Sequence, residues 1–168
     1  MSSRATCTFA AIVLFASTAA GSEPLAAVRS VDFRLGGPFR LAVAAAADRL
    51  LSPTCASVLD EFTNRATGRS LGDALDETGL SAPAFVLGLT YYSASGLPPC
   101  RDQGILAYTN PGSRVVFVCP VAFARAARAE PGFAANVLIH EALHSLGLAD
   151  DLPSSVEITR AVERRCGR

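Results

Sequence analysis

The sequence predicts one α+β domain that is predominantly helical, with a helix packed on a small sheet that includes a β-hairpin. Ala- and Leu-rich segments with apolar residues at helical spacing occupy much of the 168 residues. Two short stretches of β-branched and aromatic residues flank a turn sequence at 110–113. The length suits a single domain, and the 50% hydrophobic content is sufficient for a packed core.

The composition argues against two classes of partner. Basic and acidic residues balance at 15 each, so the chain lacks the positive surface typical of nucleic-acid-binding proteins. No stretch reaches the roughly 20 uninterrupted apolar residues of a membrane-spanning helix. We therefore expect no nucleic-acid partner and no membrane association of the mature form.

The first 20 residues have the features of a secretory signal peptide. A polar start with one positive charge at Arg4 precedes an apolar run over 5–20 that ends in small residues. This order is typical of a signal peptide, here cleaved after Ala20, and the run is short for the alternative of an uncleaved membrane anchor. The prediction is a signal peptide at 1–20, a mature domain at 21–168 and a secreted or periplasmic location.

The mature chain holds four cysteines, which predict two disulfides. An even number in an exported protein indicates paired thiols, and four cysteines allow three pairings. If Thr109 faces Arg114 in the predicted hairpin, Gly104 faces Cys119, and Cys100 lies just beyond the open end, near Cys119. We therefore favour Cys100–Cys119, which leaves Cys55 to pair with Cys166. The sequence contains no Cys-x-x-Cys spacing, and this argues against a zinc site made of thiolates.

Local signals define the elements in order. The predicted elements are a helix over 39–51, a helix from Ser52-Pro53 to about Asn64, a short helix from Ser70 to Gly79, a strand over 84–92, hairpin strands over 104–109 and 114–119, a short helix over 120–128, a longer helix from Pro131 and a last helix after Ser154. Ser, Pro and Gly at the helix ends set these limits. Ser154 and Glu157 match a capping box, and Gly147 is placed to end the long helix.

The long helix carries the sequence His-Glu-x-x-His at His140, Glu141 and His144. Residues four apart project from one helix face, so both imidazoles can reach one metal ion. Glu141 lies about 100° further round the helix, where it can reach a water bound to the metal and act as a general base. The helix is apolar on all sides, which indicates burial, and buried imidazoles need partners such as a metal.

The segment that follows extends the motif. Gly147 allows the chain to leave the helix sharply, and the next loop can return Asp150 to the metal. These residues resemble the metzincin-type signature His-Glu-x-x-His-x-x-Gly-x-x-His/Asp in the aspartate form carried by small secreted bacterial zinc peptidases of the snapalysin type. The stretch also looks like that of a group of short exported bacterial proteins with His-Glu-x-Leu-His-Ser-Leu-Gly-Leu before an acidic residue.

The resemblance implies a minimal zincin-like domain and a secreted zinc-dependent peptidase. In that family Zn²⁺ would be held by His140, His144 and Asp150, and Glu141 would be the catalytic base for hydrolysis of peptide bonds by a metal-activated water. A peptide or protein would be the substrate. The chain departs from metzincins because its only methionine is Met1, so it has no methionine turn beneath the metal.

Several alternatives remain open from the sequence. Glu157 or Glu163 can replace Asp150 as the third ligand, although Glu157 also suits the capping box. Asp151 would point away if Asp150 points toward the metal. The chain can also be an exported non-catalytic protein with a structural or vestigial zinc site that acts as a binding module.

The predicted hairpin has a functional interpretation as well. In zincin-like peptidases a strand edge beside the active-site helix pairs with the substrate backbone, and either 105–109 or 115–118 can offer that edge. Tyr108 can supply a hydroxyl to the developing oxyanion, or it can simply pack on the sheet.

Overall fold

The computed structural model describes residues 30–167 and confirms the α+β class. The predicted signal peptide at 1–20 lies outside the described residues. The helices are α1 (Gly36–Arg49), α2 (Pro53–Ala56), α3 (Leu71–Asp76), α4 (Ala82–Leu87), α5 (Pro120–Ala129), α6 (Pro131–Ser145) and α7 (Ser155–Cys166). The strands are β1 (Ser30–Val31), β2 (Thr63–Asn64), β3 (Arg69–Ser70), β4 (Thr90–Ser93), β5 (Ala107–Thr109) and β6 (Val115–Val118).

Four of the strands form one sheet in the order β1-β4-β6-β5. Strands β1, β4 and β6 run parallel, and β5 pairs antiparallel with β6 at the edge. Strands β2 and β3 form a separate small hairpin. The predicted β-hairpin is therefore β5–β6, and of these two strands only β5 has a side that no described strand covers.

The hairpin register differs from the prediction by two residues. Thr109 pairs with Val116 and not with Arg114, because the turn extends further than the four residues 110–113. The backbone N–H of Cys119 consequently donates to the Leu106 carbonyl, at 2.9 Å.

The predicted strand over 84–92 is wrong in its first half. Residues 82–87 form α4, because the Ser81 hydroxyl caps the Ala84 N–H and Pro83 stands in the first turn. Only 90–93 are extended, as β4. An apolar run of this length does not distinguish a buried strand from a buried helix.

Two further predictions are corrected. The helix expected from Pro53 to about Asn64 ends after one turn and continues as a 3-10 helix over 57–61. The helix expected over 39–51 is present as α1, but it begins at Gly36 and ends at Arg49, so Leu51 lies beyond it. The buried side of α1 consists of Phe39, Ala42, Val43, Ala46 and Ala47.

Helix α6 lies at the centre of the fold. It packs against α1, α4, α5 and α7, and its second half also contacts β5. Ala134, Leu138, Ile139 and Leu143 are almost completely buried, as the apolar composition of this helix predicts. Polar side chains on α6 are therefore removed from bulk water except where a cleft reaches them.

Both predicted disulfides are present. Cys100–Cys119 joins the segment before β5 to the start of α5, and Cys55–Cys166 joins α2 to the end of α7. The second bond links residues 111 apart in the chain, and it anchors α7 beside the central helix. Within residues 30–167 no helix is both long and apolar enough to cross a membrane.

The two disulfides should differ in their contribution to stability. A closed loop of about 100 residues is worth about 4.7 kcal/mol of denatured-state entropy, against about 3 kcal/mol for a loop of about 15. We expect replacement of Cys55 and Cys166 by Ser to lower the free energy of unfolding more than replacement of Cys100 and Cys119. Urea unfolding of the two double variants measures this, and an equal or reversed order would contradict it.

Candidate metal centre

The two histidines of α6 face each other. One helical turn separates His140 from His144, and their Nε2 atoms are 2.9 Å apart. Both side chains are buried, at 7% and 3% exposed. Two nitrogens bound to one tetrahedral zinc at about 2.0–2.1 Å would lie roughly 3.3 Å apart. A small rotation of either ring therefore suffices to admit a cation between them.

The opposite nitrogen of each ring has a partner. His144 Nδ1 lies 2.7 Å from the Leu148 carbonyl oxygen, and His140 Nδ1 lies 3.0 Å from the Thr159 hydroxyl. A carbonyl only accepts, so His144 Nδ1 is the donor in this contact, and Nε2 is the ring nitrogen that faces His140. Outer partners of this kind orient histidines that bind metals.

Burial keeps the His140 ring neutral. Desolvation, followed by the proximity of His144, lowers the pKa of His140 to about 3. A neutral imidazole is the form that binds a metal ion. The helix therefore supplies a nitrogen donor that needs no deprotonation at physiological pH.

Gly147 directs the chain from the end of α6 back toward the histidines. Its φ of +104° lies in the region that favours glycine. A Cβ at this position would also collide with the side-chain amide of Asn64, which donates to the Leu146 carbonyl at 3.4 Å. The positive φ and the close approach of Asn64 both require glycine here.

The loop after Gly147 brings Asp150 to the histidines. Asp150 Oδ1 lies 3.3 Å from His144 Nε2, and one ligand atom from each of His140, His144 and Asp150 lies within 4.8 Å of the others. The Asp150 side chain is 61% exposed. Two buried nitrogens and one exposed carboxylate form a cluster that can hold a metal ion and is open to solvent on one side.

The competing carboxylates have other partners. Asp151 points away from the cluster and pairs with Arg65 at 2.8 Å. Glu157 closes the predicted capping box, because its carboxylate accepts from the Ser154 N–H at 2.9 Å. The same contact, as the largest cause, lowers the pKa of Glu157. Neither Glu157 nor Glu163 belongs to the potential metal cluster of the described residues.

Glu141 is buried beside the cluster. Its side chain is held against Thr109 of β5, and burial raises the pKa of Glu141 to about 8 despite the opposing effect of the Thr109 hydroxyl. Neither Glu141 Oε2 nor Thr109 Oγ1 has a well-formed hydrogen bond. A buried carboxyl oxygen without a partner is costly, which is typical of a group kept available for chemistry.

The sheet edge runs past Glu141. Strand β5 is the edge strand, so the alternative edge at 115–118 is excluded because β6 lies between β4 and β5. Thr109 projects toward α6, and Tyr108 projects to the opposite face, where it stacks on Phe117 at 5.2 Å. Tyr108 is therefore separated from Glu141 by the sheet, and its packing role is the one observed.

Sequence analysis did not assign a role at the site to four groups that contact its residues. Thr159, the Leu148 carbonyl, Thr109 and Asn64 come from four different segments. Only Thr159 had a pattern that could have pointed to it, since it lies on the predicted last helix beside the buried Ile158. Its contact with His140 depends on how α7 docks on α6.

Comparison with known proteins gives no match. No protein-family model, no curated protein and no solved structure is significantly similar to this chain. Assignment of a function therefore depends on the residues of the site alone.

The third ligand can be tested by substitution. We expect Asp150→Ala to lower zinc affinity by more than the 10- to 100-fold typical of losing an outer partner, because a direct oxygen ligand is removed. Competition with a chromogenic chelator measures the affinity. Asp151→Ala and Glu157→Ala serve as matched controls that should retain zinc, and loss of zinc from Glu157→Ala alone would assign the ligand to Glu157.

The hydroxyl of Thr159 should influence metal affinity without touching the metal. We expect Thr159→Val to weaken zinc binding by about 10- to 100-fold, because His140 Nδ1 loses its partner while the side-chain volume is preserved. Thr159→Ser retains the hydroxyl and should bind as the parent does. Equal affinities for the Val and Ser variants, measured by isothermal titration calorimetry, would rule out this role.

Proposed function

We propose that the chain is an exported zinc-dependent peptidase. The observation that carries the proposal is the cluster of His140, His144 and Asp150 with the buried Glu141 beside it, whose Oε2 lacks a well-formed hydrogen bond. Two imidazoles and one carboxylate suit Zn²⁺ and would leave one coordination position open, as in catalytic zinc sites. When bound, zinc would polarise a water and a substrate carbonyl.

The residues of the chain would then handle the protons. Glu141 Oε2 would accept a proton from the attacking water and deliver it to the nitrogen of the leaving amine, so the carboxylate is regenerated after one turnover. Its raised pKa supports both steps, because a general acid–base group is most effective when its pKa lies near the working pH.

Strand β5 would hold the substrate in place. Its outer edge carries backbone groups that no described strand pairs with, and Thr109 at its end contacts Glu141. A peptide paired with this edge by main-chain hydrogen bonds would pass directly over the metal cluster. This arrangement favours an extended peptide or protein over a compact small molecule.

Two features support export. The structure contains two disulfides, which persist in oxidising compartments such as the periplasm or the extracellular medium. The predicted signal peptide at 1–20 agrees with that location. N-terminal sequencing of the exported protein would test cleavage after Ala20.

The role of Glu141 is tested with one atom replaced. Glu141→Gln keeps the volume of the side chain but cannot accept a proton, so we expect zinc to be retained and kcat for peptide hydrolysis to fall by at least about 10²- to 10⁴-fold. Cleavage of a fluorescence-quenched peptide library and zinc analysis of the same samples provide the measurements.

The controls separate catalysis from folding. Asp73→Asn changes an exposed carboxylate on α3 and should leave cleavage unchanged. Full activity in the Glu141→Gln variant would exclude this base. A parent protein that binds zinc but cleaves no peptide would instead favour the non-catalytic binding module.

A further inference from the structure

A polar pocket lies beside the end of the metal-binding helix. It has a volume of about 280 Å³ and opens to solvent. Ser145 at the end of α6 and the following Leu146 form one wall, the β5–β6 turn forms the next, and the β2–β3 hairpin with α3 and the residues after it forms the third. Its charged lining consists of Arg69, Glu77 and Arg114.

The charges in this pocket do not balance. Arg69 forms an ion pair with Glu77, so their charges compensate each other. Arg114 has no carboxylate within ion-pair distance among the described residues. The pocket therefore keeps one uncompensated positive charge, supplied by Arg114.

Arg114 is held beside the pocket by an aromatic ring. Its guanidinium carbon lies 4.2 Å above the ring centre of the buried Phe85, a cation–π contact that keeps the group over the ring. The planar group presents its N–H donors at its edge, and no described hydrogen bond uses them. A flat guanidinium with free donors is suited to a carboxylate, which it can bind with two parallel hydrogen bonds.

The pocket is joined to the proposed active site. The Gly112 N–H at the tip of the β5–β6 turn donates to the His144 carbonyl at 2.9 Å, and the Ser145 hydroxyl donates to the Glu141 carbonyl at 3.0 Å. Ser145 lies about 6 Å along the helix from Glu141, and an extended peptide advances about 3.3 Å per residue. A peptide that continues from the β5 edge toward this pocket would cover such a distance in about two to three residues.

We propose that this pocket is a substrate subsite that binds a carboxylate through Arg114, so that the enzyme prefers peptides with an acidic group within three residues of the scissile bond. The inference rests on the proposed peptidase function. The carboxylate can belong to an Asp or Glu side chain or to the C-terminus of the peptide, since both present the same two oxygens.

The test uses zinc-loaded protein and matched quenched peptides. Each pair differs only by Asp or Glu against Asn or Gln at one position on either side of the cleaved bond, and each is made with a free and with an amidated C-terminus. We expect acidic peptides to have about tenfold higher kcat/KM, which corresponds to about 1.4 kcal/mol. A preference that survives amidation assigns the site to side chains, and one that disappears assigns it to the C-terminus.

Variants identify the source of the preference. Arg114→Gln should abolish it, and Arg114→Glu should shift it toward peptides with Lys or Arg at the same position. Arg40→Gln, which removes an exposed arginine of α1 far along the chain from the pocket, should retain it. A parent without any acidic preference, or one whose preference persists in Arg114→Gln, would overturn the subsite while leaving the peptidase proposal intact.

Binding distinguishes failure of the subsite from failure of the peptidase function. The same peptides, carrying a fluorophore, are titrated with the zinc-loaded Glu141→Gln protein and followed by anisotropy. We expect about tenfold tighter binding of the acidic member of each pair, and no difference with Arg114→Gln added. If the parent cleaves nothing, the peptidase proposal fails, and equal binding of both members would independently reject the pocket.

Discussion

The close approach of two imidazoles on a buried helix is the constraint on which the rest of the structure depends. His140 Nε2 and His144 Nε2 face each other at 2.9 Å, and burial lowers the pKa of His140 so that it does not carry a charge there. Two ring nitrogens directed at one point in an apolar interior need a shared proton or a cation between them. The surrounding fold fixes the outer nitrogens of both rings and so determines where that point lies.

The fold supplies these contacts from separate parts of the chain. Helix α7 brings Thr159 to His140, and the bond between Cys55 and Cys166 anchors the far end of that helix. The loop after Gly147 provides the carbonyl for His144 and presents Asp150. The β5 edge closes the other side against Glu141. A disulfide, the sheet edge and helix packing therefore together position the side chains of the candidate metal site.

Patterns with a local physical cause predicted the structure well. The capping box at Ser154, the helix end near Gly147 and the buried character of α6 are confirmed because each depends on neighbours within a turn or on helix periodicity. The predicted strand over 84–92 is wrong in its first half because an apolar run shows no periodicity that distinguishes a strand from a helix. The Ser81 cap favours a helix there. The disulfide pairing is confirmed although the hairpin register was off by two residues.

The sequence by itself determined that both histidines project from one face of a buried helix and that a glycine follows them, since helical spacing and glycine's freedom at positive φ are local properties. Only the tertiary structure decided which carboxylate approaches the histidines, because Asp150, Asp151 and Glu157 all offer the same ligand group within a short stretch of sequence after the helix. The distant Arg65 draws Asp151 away, whereas Glu157 is occupied locally by Ser154 of its own capping box. The pocket around Arg114 is tertiary for the same reason, since its walls come from segments that meet only in the folded chain.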